Sequence, residues 1–349
     1  MKIIHTADIH LGSPLSKISD NEKRIIRKNE ILNSFDKLIN YAKQNEIKII
    51  MMSGDIFDNN SPYKKDKNYF YHLIKTNPDI TFLYLKGNHD INNEYNEEYP
   101  NLLTFSDDWK SYEFENVRIT GVELKKENSK SIYPSLNLKN DKINIVMMHG
   151  DIYNKGENYI SLKDLKNKNI DYLALGHIHE NIIDKLDDKG IYSYSGCLEG
   201  RGYDEVGPKG FYVLNIENNK IDYEFIINSK RIIHSIDVDI SNAYDFATAK
   251  DLIYEKTKTI KKEDIVRINL EGINQIEDDL EELENYFSFF YFSIKNNTKR
   301  KIDYKKYEND LSLKGEFVRC VLANKELTED EKNEIIFLGL KSLNEGVVC

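Results

Sequence analysis

The chain has 349 residues, 40% of them hydrophobic and 31% charged, a balance that describes a folded protein with room for two domains and excludes disorder. Its formal net charge of −10 requires any nucleic acid to be met by a local basic patch or by bound metal ions, not by the overall field. No apolar run approaches the roughly 20 residues that cross a membrane, and the three cysteines, Cys197, Cys320 and Cys349, have neither metal nor disulfide spacing, which points to free thiols in a reducing cytoplasm.

The chain opens on a strand pattern, Lys2-Ile3-Ile4-His5-Thr6-Ala7, and is expected to carry no signal peptide. That strand runs into Asp8-Ile9-His10-Leu11-Gly12, where residues i and i+2 of an extended segment share a side, so Asp8 and His10 can grip one ion. Apolar residues at Ile31, Phe35, Leu38 and Ala42 predict a helix over 22–44 with a core-facing stripe. A buried-strand run at 47–52 leads to Ser53-Gly54-Asp55-Ile56-Phe57-Asp58, which delivers carboxylates at the carboxyl edge of an α/β sheet. The loop Asn59-Asn60-Ser61-Pro62 opens a second helix at Ser61-Pro62; it reaches Thr76 and is closed by Asn77-Pro78. A third strand, 80–85, breaks into Gly87-Asn88-His89-Asp90.

Residues 92–110 read as irregular, and 112–114 with 117–122 as a hairpin pair. A strand at 143–148 ends in His149-Gly150-Asp151; after a short helix over 161–167, another at 172–175 ends in Gly176-His177-Ile178-His179. Strands follow at 182–186, 191–195, 210–216 and 221–227, the last two joined by the tight turn Asn218-Asn219. Alternating strands and helices completed by antiparallel strands predict an α/β architecture of two sheets face to face with helices outside.

Of the eight histidines, His10, His89, His149, His177 and His179 lie at strand ends beside Gly or Asp, whereas His5, His72 and His234 sit in ordinary strand or helix contexts. Any one of the five could be a structural histidine; the set argues for a metal centre. Phosphoester hydrolysis needs an activated water, charge neutralisation on the phosphoryl oxygens and a proton for the leaving group, and two divalent ions about 3.5–4 Å apart meet the first two needs. Donors of carboxylate, amide and imidazole without thiolate favour manganese, with iron or zinc as alternatives. A histidine beside the ions can supply the proton.

The series Asp8-Ile9-His10, Gly54-Asp55-Ile56-Phe57-Asp58, Gly87-Asn88-His89-Asp90, His149-Gly150 and Gly176-His177-Ile178-His179 resembles the five motifs of the calcineurin-like metallophosphoesterases. The resemblance implies a four-layer α/β fold of two mixed β-sheets flanked by helices. It also implies that Asp8, His10 and His179 hold one metal and Asn88, His149 and His177 the other. Asp55 would bridge both, His89 would be the general acid, and Asp90 would orient His89; Asp58 either supports the site or caps its loop. The opening His5-Thr6-Ala7-Asp8-Ile9-His10-Leu11-Gly12 and the stretch from Ser195 through Glu205 to Gly207-Pro208-Lys209-Gly210-Phe211 are similar to the SbcD-type DNA repair exonucleases, in particular YhaO-like bacterial members. That pattern usually has proline where this chain has Ser195. Arg201 and Lys209 are candidate substrate contacts, or members of a glycine-rich connection.

A linker near 228–231 introduces a strand (232–240), a helix (243–256), a strand (264–270), an acidic helix (274–286) and a strand (290–294), similar in position to the cap domain with which such nucleases hold DNA. The expected division is a nuclease domain (1–230), an α/β cap (231–298) and a C-terminal region (299–349). Lys299, Arg300, Lys301, Lys305 and Lys306, interleaved with Tyr304 and Tyr307, form either a solvated linker or a phosphate contact. Two tail helices follow, one with Phe317 and Val321 on a stripe, the other opening on the capping box Thr328-Glu329-Asp330-Glu331 and ending at Gly346. Its Ile335, Ile336, Leu338, Leu340 and Leu343 exceed one narrow stripe. In the resembled nucleases this region docks an SMC-like coiled-coil ATPase, and the nuclease forms a homodimer. The reading is therefore a two-metal DNA exonuclease or endonuclease acting with such an ATPase. A phosphatase or cyclic-nucleotide phosphodiesterase on the same fold is the alternative; a scaffold without metals is disfavoured because every ligand is present.

Overall fold

Buried runs of Ile, Met and Leu build the sheets, and the breaks in those runs build the site. The computed structural model describes all residues except 17, 59–61, 91–98, 157, 275, 277–279, 301–303 and 346–349. The chain falls into two compact units, Met1–Ile233 and His234–Cys349, so the expected cap and C-terminal region share one unit.

In the first unit the order is β1 (Lys2–Thr6), α1 (Asn21–Gln44), β2 (Ile49–Ser53), α2 (Lys64–Lys75), β3 (Thr81–Leu85), β4 (Leu102–Thr104), β5 (Lys110–Phe114), β6 (Val117–Gly121), α3 (Ile132–Ser135), β7 (Ile143–His149), α4 (Leu162–Leu165), β8 (Tyr172–Gly176), β9 (Ile182–Lys185), β10 (Ile191–Tyr194), β11 (Gly210–Glu217) and β12 (Lys220–Ile227). These form two six-stranded sheets, β12-β11-β1-β2-β3-β4 and β5-β6-β7-β8-β10-β9. In the first, β1 to β4 run parallel and β11 closes antiparallel on β1. In the second, β6, β7, β8 and β10 run parallel between antiparallel edges.

Period-2 alternation explains the layers. Ile49, Met51, Leu83 and Leu85 turn inward to meet Ile119, Ile145, Met147 and Ala174 of the other sheet. On the opposite face Phe82 of β3 meets Phe35 of α1, whose ring stacks 5.5 Å from Phe70 of α2. Beyond the second sheet, Ile132, Tyr133 and Leu165 of α3 and α4 cover Val146, Leu173 and Leu175. The result is helix, sheet, sheet, helix.

Helix α1 matches its predicted span to one residue, with Asp20 as N-cap accepting from Lys23 N at 3.0 Å. Helix α2 starts at Lys64, so Pro62 precedes its first turn, and Ser61 lies outside the described residues. The segment 92–110 contains β4, too short to show alternation, and the predicted helix 161–167 is one turn, α4. The Asn218-Asn219 turn has φ of +50° and +58°, the left-handed pair that a two-residue hairpin demands.

The second unit contains β13 (Ile233–Asp239, beginning on the last residue of the first unit), α5 (Phe246–Thr257), β14 (Ile265–Glu271), β15 (Ile273–Asn274), β16 (Tyr291–Asn296), β17 (Lys299–Arg300), α6 (Leu313–Ala323) and α7 (Glu329–Glu345). Strands β13-β14-β16 form one sheet and β15-β17 a ribbon. Of the acidic helix predicted over 274–286, residues 275 and 277–279 lie outside the described residues; Asn274 belongs to β15, and Leu280–Tyr286 is a 3-10 helix in place of an α-helix. Its Glu284 carboxylate accepts from Ile294 N at 2.6 Å, a tertiary bond that periodicity does not encode. Within the basic segment Lys299 and Arg300 form β17, Tyr304–Tyr307 is a second 3-10 turn, and Lys301 lies outside the described residues. The capping box of α7 forms, with Thr328 N donating to Glu331 Oε2 at 2.7 Å and Glu331 N to Thr328 Oγ1 at 3.3 Å. The predicted end at Gly346 lies outside the described residues. Among those residues no helix is long and apolar enough to cross a membrane.

Candidate metal centre

Parallel strands deliver their carboxyl ends to one edge, and five strands of the two sheets do so at the same place. Asp8 and His10 follow β1, Asp55 follows β2, Asn88 and His89 follow β3, His149 ends β7, and His177 and His179 follow β8. Backbone bonds tie these ends together: Asp8 N donates to Gly54 O at 2.9 Å, His10 N to Asp55 O at 3.0 Å and Gly150 N to Gly176 O at 3.1 Å. Asp8, His10 and Asp55 have φ near +50° and His177 has +109°, uncommon backbone for residues with side chains and typical of functional sites. Two glycines make room. A Cβ on Gly54 would lie 2.2 Å from His149 Nδ1, and one on Gly87 2.1 Å from Asp55 Oδ1.

The side chains converge in two groups, Asp8-His10-His179 and Asp55-His149-His177. In the first, His10 Nε2 and His179 Nε2 face each other at 3.1 Å, and His179 Nε2 lies 3.9 Å from Asp8 Oδ1. In the second, Asn88 Oδ1 is 3.1 Å from His149 Nε2 and 3.0 Å from His177 Nδ1. Asp55 Oδ2 stands between the groups, 3.3 Å from His149 Nε2 and 3.9 Å from His10 Nε2. His149 Nδ1 donates to the Ser53 carbonyl at 2.8 Å, which leaves the Nε2 lone pair for the site.

The electrostatics are those of groups that want a cation. Burial raises the Asp8 carboxyl to about 6 against the pull of His179 and His149. Burial also works to raise Asp55, but His149 and His10 hold it below the usual carboxylate range. In return Asp55 overrides burial at His149 and lifts it to about 9. Burial lowers His10 to about 4 in spite of Asp58, and lowers His177, with the neighbouring His149 adding to the effect. Buried oxygen and imidazole donors aimed at one another, with one carboxylate between two groups and no thiolate, fit two divalent ions.

His89 donates its backbone amide to Asp55 Oδ1 at 2.9 Å, and its ring Nδ1 is 2.9 Å from the Asp58 carbonyl. Since a carbonyl only accepts, Nδ1 carries hydrogen. The Asp90 carboxylate accepts from the amides of Ile56 and Phe57 at 3.0 Å each and of Gly87 at 3.3 Å, so it acts on the backbone of the two loops that carry Asp55 and His89.

Asp58 supports the site, with Oδ1 3.2 Å from His10 Nδ1 and 2.6 Å from Arg201 Nη1. Arg201, a candidate substrate contact, is paired with Asp58 and Glu205. Lys209 is buried with its ammonium on the His179 carbonyl at 2.8 Å. Sequence reasoning missed two residues. Glu205 accepts from His179 Nδ1 at 2.8 Å. Arg27 of α1 is wholly buried and holds the glycine-rich segment through Glu199 Oε1 (2.9 Å) and Gly200 O (2.6 Å). A carboxylate at the end of the glycine-rich stretch, 26 residues beyond His179, was the available signal for Glu205; Arg27 had none.

The family model described as calcineurin-like phosphoesterase matches residues 1–181. An uncharacterized metallophosphoesterase of Bacillus subtilis, YhaO, is 26% identical over 78% of this chain and 72% of its own. The DNA double-strand break repair protein Mre11 of Saccharolobus solfataricus is 25% identical over 96% of this chain and 93% of its own. The SbcD component of the SbcCD nuclease of Staphylococcus epidermidis is 23% identical over 82% of this chain and 83% of its own.

Proposed function

The chain belongs to the calcineurin-like phosphoesterases and is a metal-dependent phosphoester hydrolase; from that premise we propose that it is a manganese-dependent DNA nuclease that works in DNA repair in the cytoplasm. The observation that carries the step from phosphoesterase to nuclease is the extent of likeness. The Mre11 relative aligns with 96% of this chain, through the second unit as well as the first.

Two ions held by Asp8, His10, His179, Asn88, His149, His177 and Asp55 supply charge neutralisation and an activated water when bound. The chain's own part is positioning and proton transfer. Asp55 joins the two ligand groups, and its other oxygen fixes the His89 amide. With Nδ1–H anchored on the Asp58 carbonyl, Nε2 of His89 is the nitrogen that delivers a proton to the leaving oxygen. Asp90 keeps the loops that bear Asp55 and His89 in register.

The tail supports a partner. Leu311, Leu313 and Leu338 are 97%, 71% and 54% exposed, apolar side chains that binding to an SMC-like coiled-coil ATPase would cover. Such an ATPase would add DNA grip that a chain of net charge −10 has little of its own, and a homodimer belongs to the same proposal.

The test is purified protein with manganese on end-labelled duplex DNA and on bis-nitrophenyl phosphate, with Asp55→Ala as control. Cleavage of both, abolished in the variant, supports the nuclease. Turnover of the small ester alone, unchanged by the ATPase, favours the phosphatase or cyclic-nucleotide phosphodiesterase reading.

A further inference from the structure

Behind two of the metal-facing imidazoles stands a chain of charges. Glu205 Oε1 accepts from His179 Nδ1 at 2.8 Å and from Arg201 Nη2 at 2.7 Å. The same guanidinium reaches with Nη1 to Asp58 Oδ1 at 2.6 Å, and Asp58 Oδ1 is 3.2 Å from His10 Nδ1. His179 therefore has a carboxylate bonded to its outer nitrogen and His10 has one within ion-pair distance of its outer nitrogen, outside hydrogen-bond geometry, while their inner nitrogens converge at 3.1 Å. Lys209 adds a bond to the His179 carbonyl, holding the backbone of the same ligand.

The other ligand group has no such backing. His149 Nδ1 rests on a neutral backbone carbonyl, that of Ser53; His177 turns Nδ1 inward to the Asn88 amide oxygen, and the Asp151 carboxylate acts on it only from beyond ion-pair distance. Among the described residues His177 forms no ion pair, and His149 pairs only with Asp55, on its metal-facing nitrogen.

We propose that Arg201, Glu205 and Asp58 form a positioning clasp for one metal position only, the one built from Asp8, His10 and His179, and so make the two positions unequal in grip. A carboxylate on the outer nitrogen fixes the ring and strengthens the inner nitrogen as a donor. Arg201 can link two carboxylates because a guanidinium presents a rigid fork; a lysine in its place reaches one. Arg201 is 16% exposed and already balanced by two carboxylates, so its charge serves the histidines and not a substrate phosphate. The inference rests on the metal-dependent reading of the site.

The experiment titrates the metal-stripped full chain with Mn²⁺ by calorimetry, for wild type, Glu205→Gln and Arg201→Lys, with electron paramagnetic resonance on the same samples. Wild type takes two ions and shows the signal of a coupled pair. Glu205→Gln weakens one binding event by about 10–100-fold, the usual cost of a lost partner behind a ligand, and leaves the other unchanged, so one equivalent gives a mononuclear spectrum. Arg201→Lys moves the same event by less, and decides the matter if Glu205→Gln does not fold. Equal weakening of both events, or of neither, overturns the clasp. A wild type that binds two ions but hydrolyses no phosphoester overturns the proposed function and leaves the clasp standing. Hydrolysis with two-ion binding unchanged in both variants overturns the clasp alone, and a wild type that binds no ion overturns both.

Discussion

Asp90 Oδ1 accepts from the amide of Phe57 at 3.0 Å, a bond that crosses from the loop after β3 to the loop after β2. With Ile56 and Gly87 it makes three amides that rest on one carboxylate, which is wholly buried and raised to about 7 by burial and then by Asp55. Asp90→Ala is expected to leave buried donors unmet at about 1–3 kcal/mol each. Thermal melting of the variant should fall, and turnover should fall with it because the frame of His89 is loosened. A melt at the wild-type midpoint would count against this account.

His89→Asn keeps an amide donor but removes the proton carrier. Metal content should persist while turnover drops by about 10²–10⁴-fold, the range for a lost general acid. Metal analysis and steady-state kinetics on the small diester check this together. Loss of the metals would assign His89 to the ligands.

Gly87→Ala is a one-atom probe of the bridging carboxylate. The added Cβ would lie 2.1 Å from Asp55 Oδ1 and 2.5 Å from Asp55 N, so Asp55 must move. A misplacement on this scale costs on the order of 10²-fold in rate, and metal affinity should fall in both positions, read by calorimetry. Unaltered binding would mean that Asp55 does not join the two groups.

His5 gives the fold a pH dependence of its own. Burial lowers its imidazole from 6.5 to about 3, with Nδ1 2.9 Å from the Tyr172 hydroxyl. The unfolded chain takes up the proton near pH 6.5 and the folded chain only near pH 3, so the unfolded state binds more protons in between. The contribution is intact above pH 6.5 and is lost progressively as pH falls toward 3. His5→Gln cannot titrate, so its stability should fall less steeply across this window, by up to about 1.4 kcal/mol per pH unit for the one proton removed. Urea unfolding of metal-free protein at several pH values provides the slopes, and parallel slopes would rule out His5 as the source.

How much of this was legible in the chain depends on how far each residue is from its partner. Asp8, Asp55, His149 and His177 could be grouped because parallel strands align their carboxyl ends whatever lies between. Helix α1 and the Asn218-Asn219 turn were legible because periodicity and left-handed preference are local. Arg27 was not: on a helix face rich in Lys and Asn it looks solvated, and its partner Glu199 is 172 residues away. The partners of Asp90 were not legible for a related reason, since its bonds run to Ile56 and Phe57, more than thirty residues back along the chain. Residues 280–286 misled because acidic, helix-favouring side chains were outweighed by tertiary bonds such as that of Glu284 with Ile294.

The antiparallel pairing of β1 with β11, Lys2 opposite Asn215 and His5 opposite Tyr212, has a consequence for how the protein is made. During synthesis the first strand emerges about two hundred residues before the strand that closes it, a high contact order that delays completion of the sheet. Until β11 arrives, β1 presents bare amides and carbonyls along an apolar edge, the kind of edge that recruits other chains. A truncation at residue 181, where the family match ends, would make that transient state permanent. Soluble expression of the catalytic unit therefore calls for a fragment that runs to Ile233.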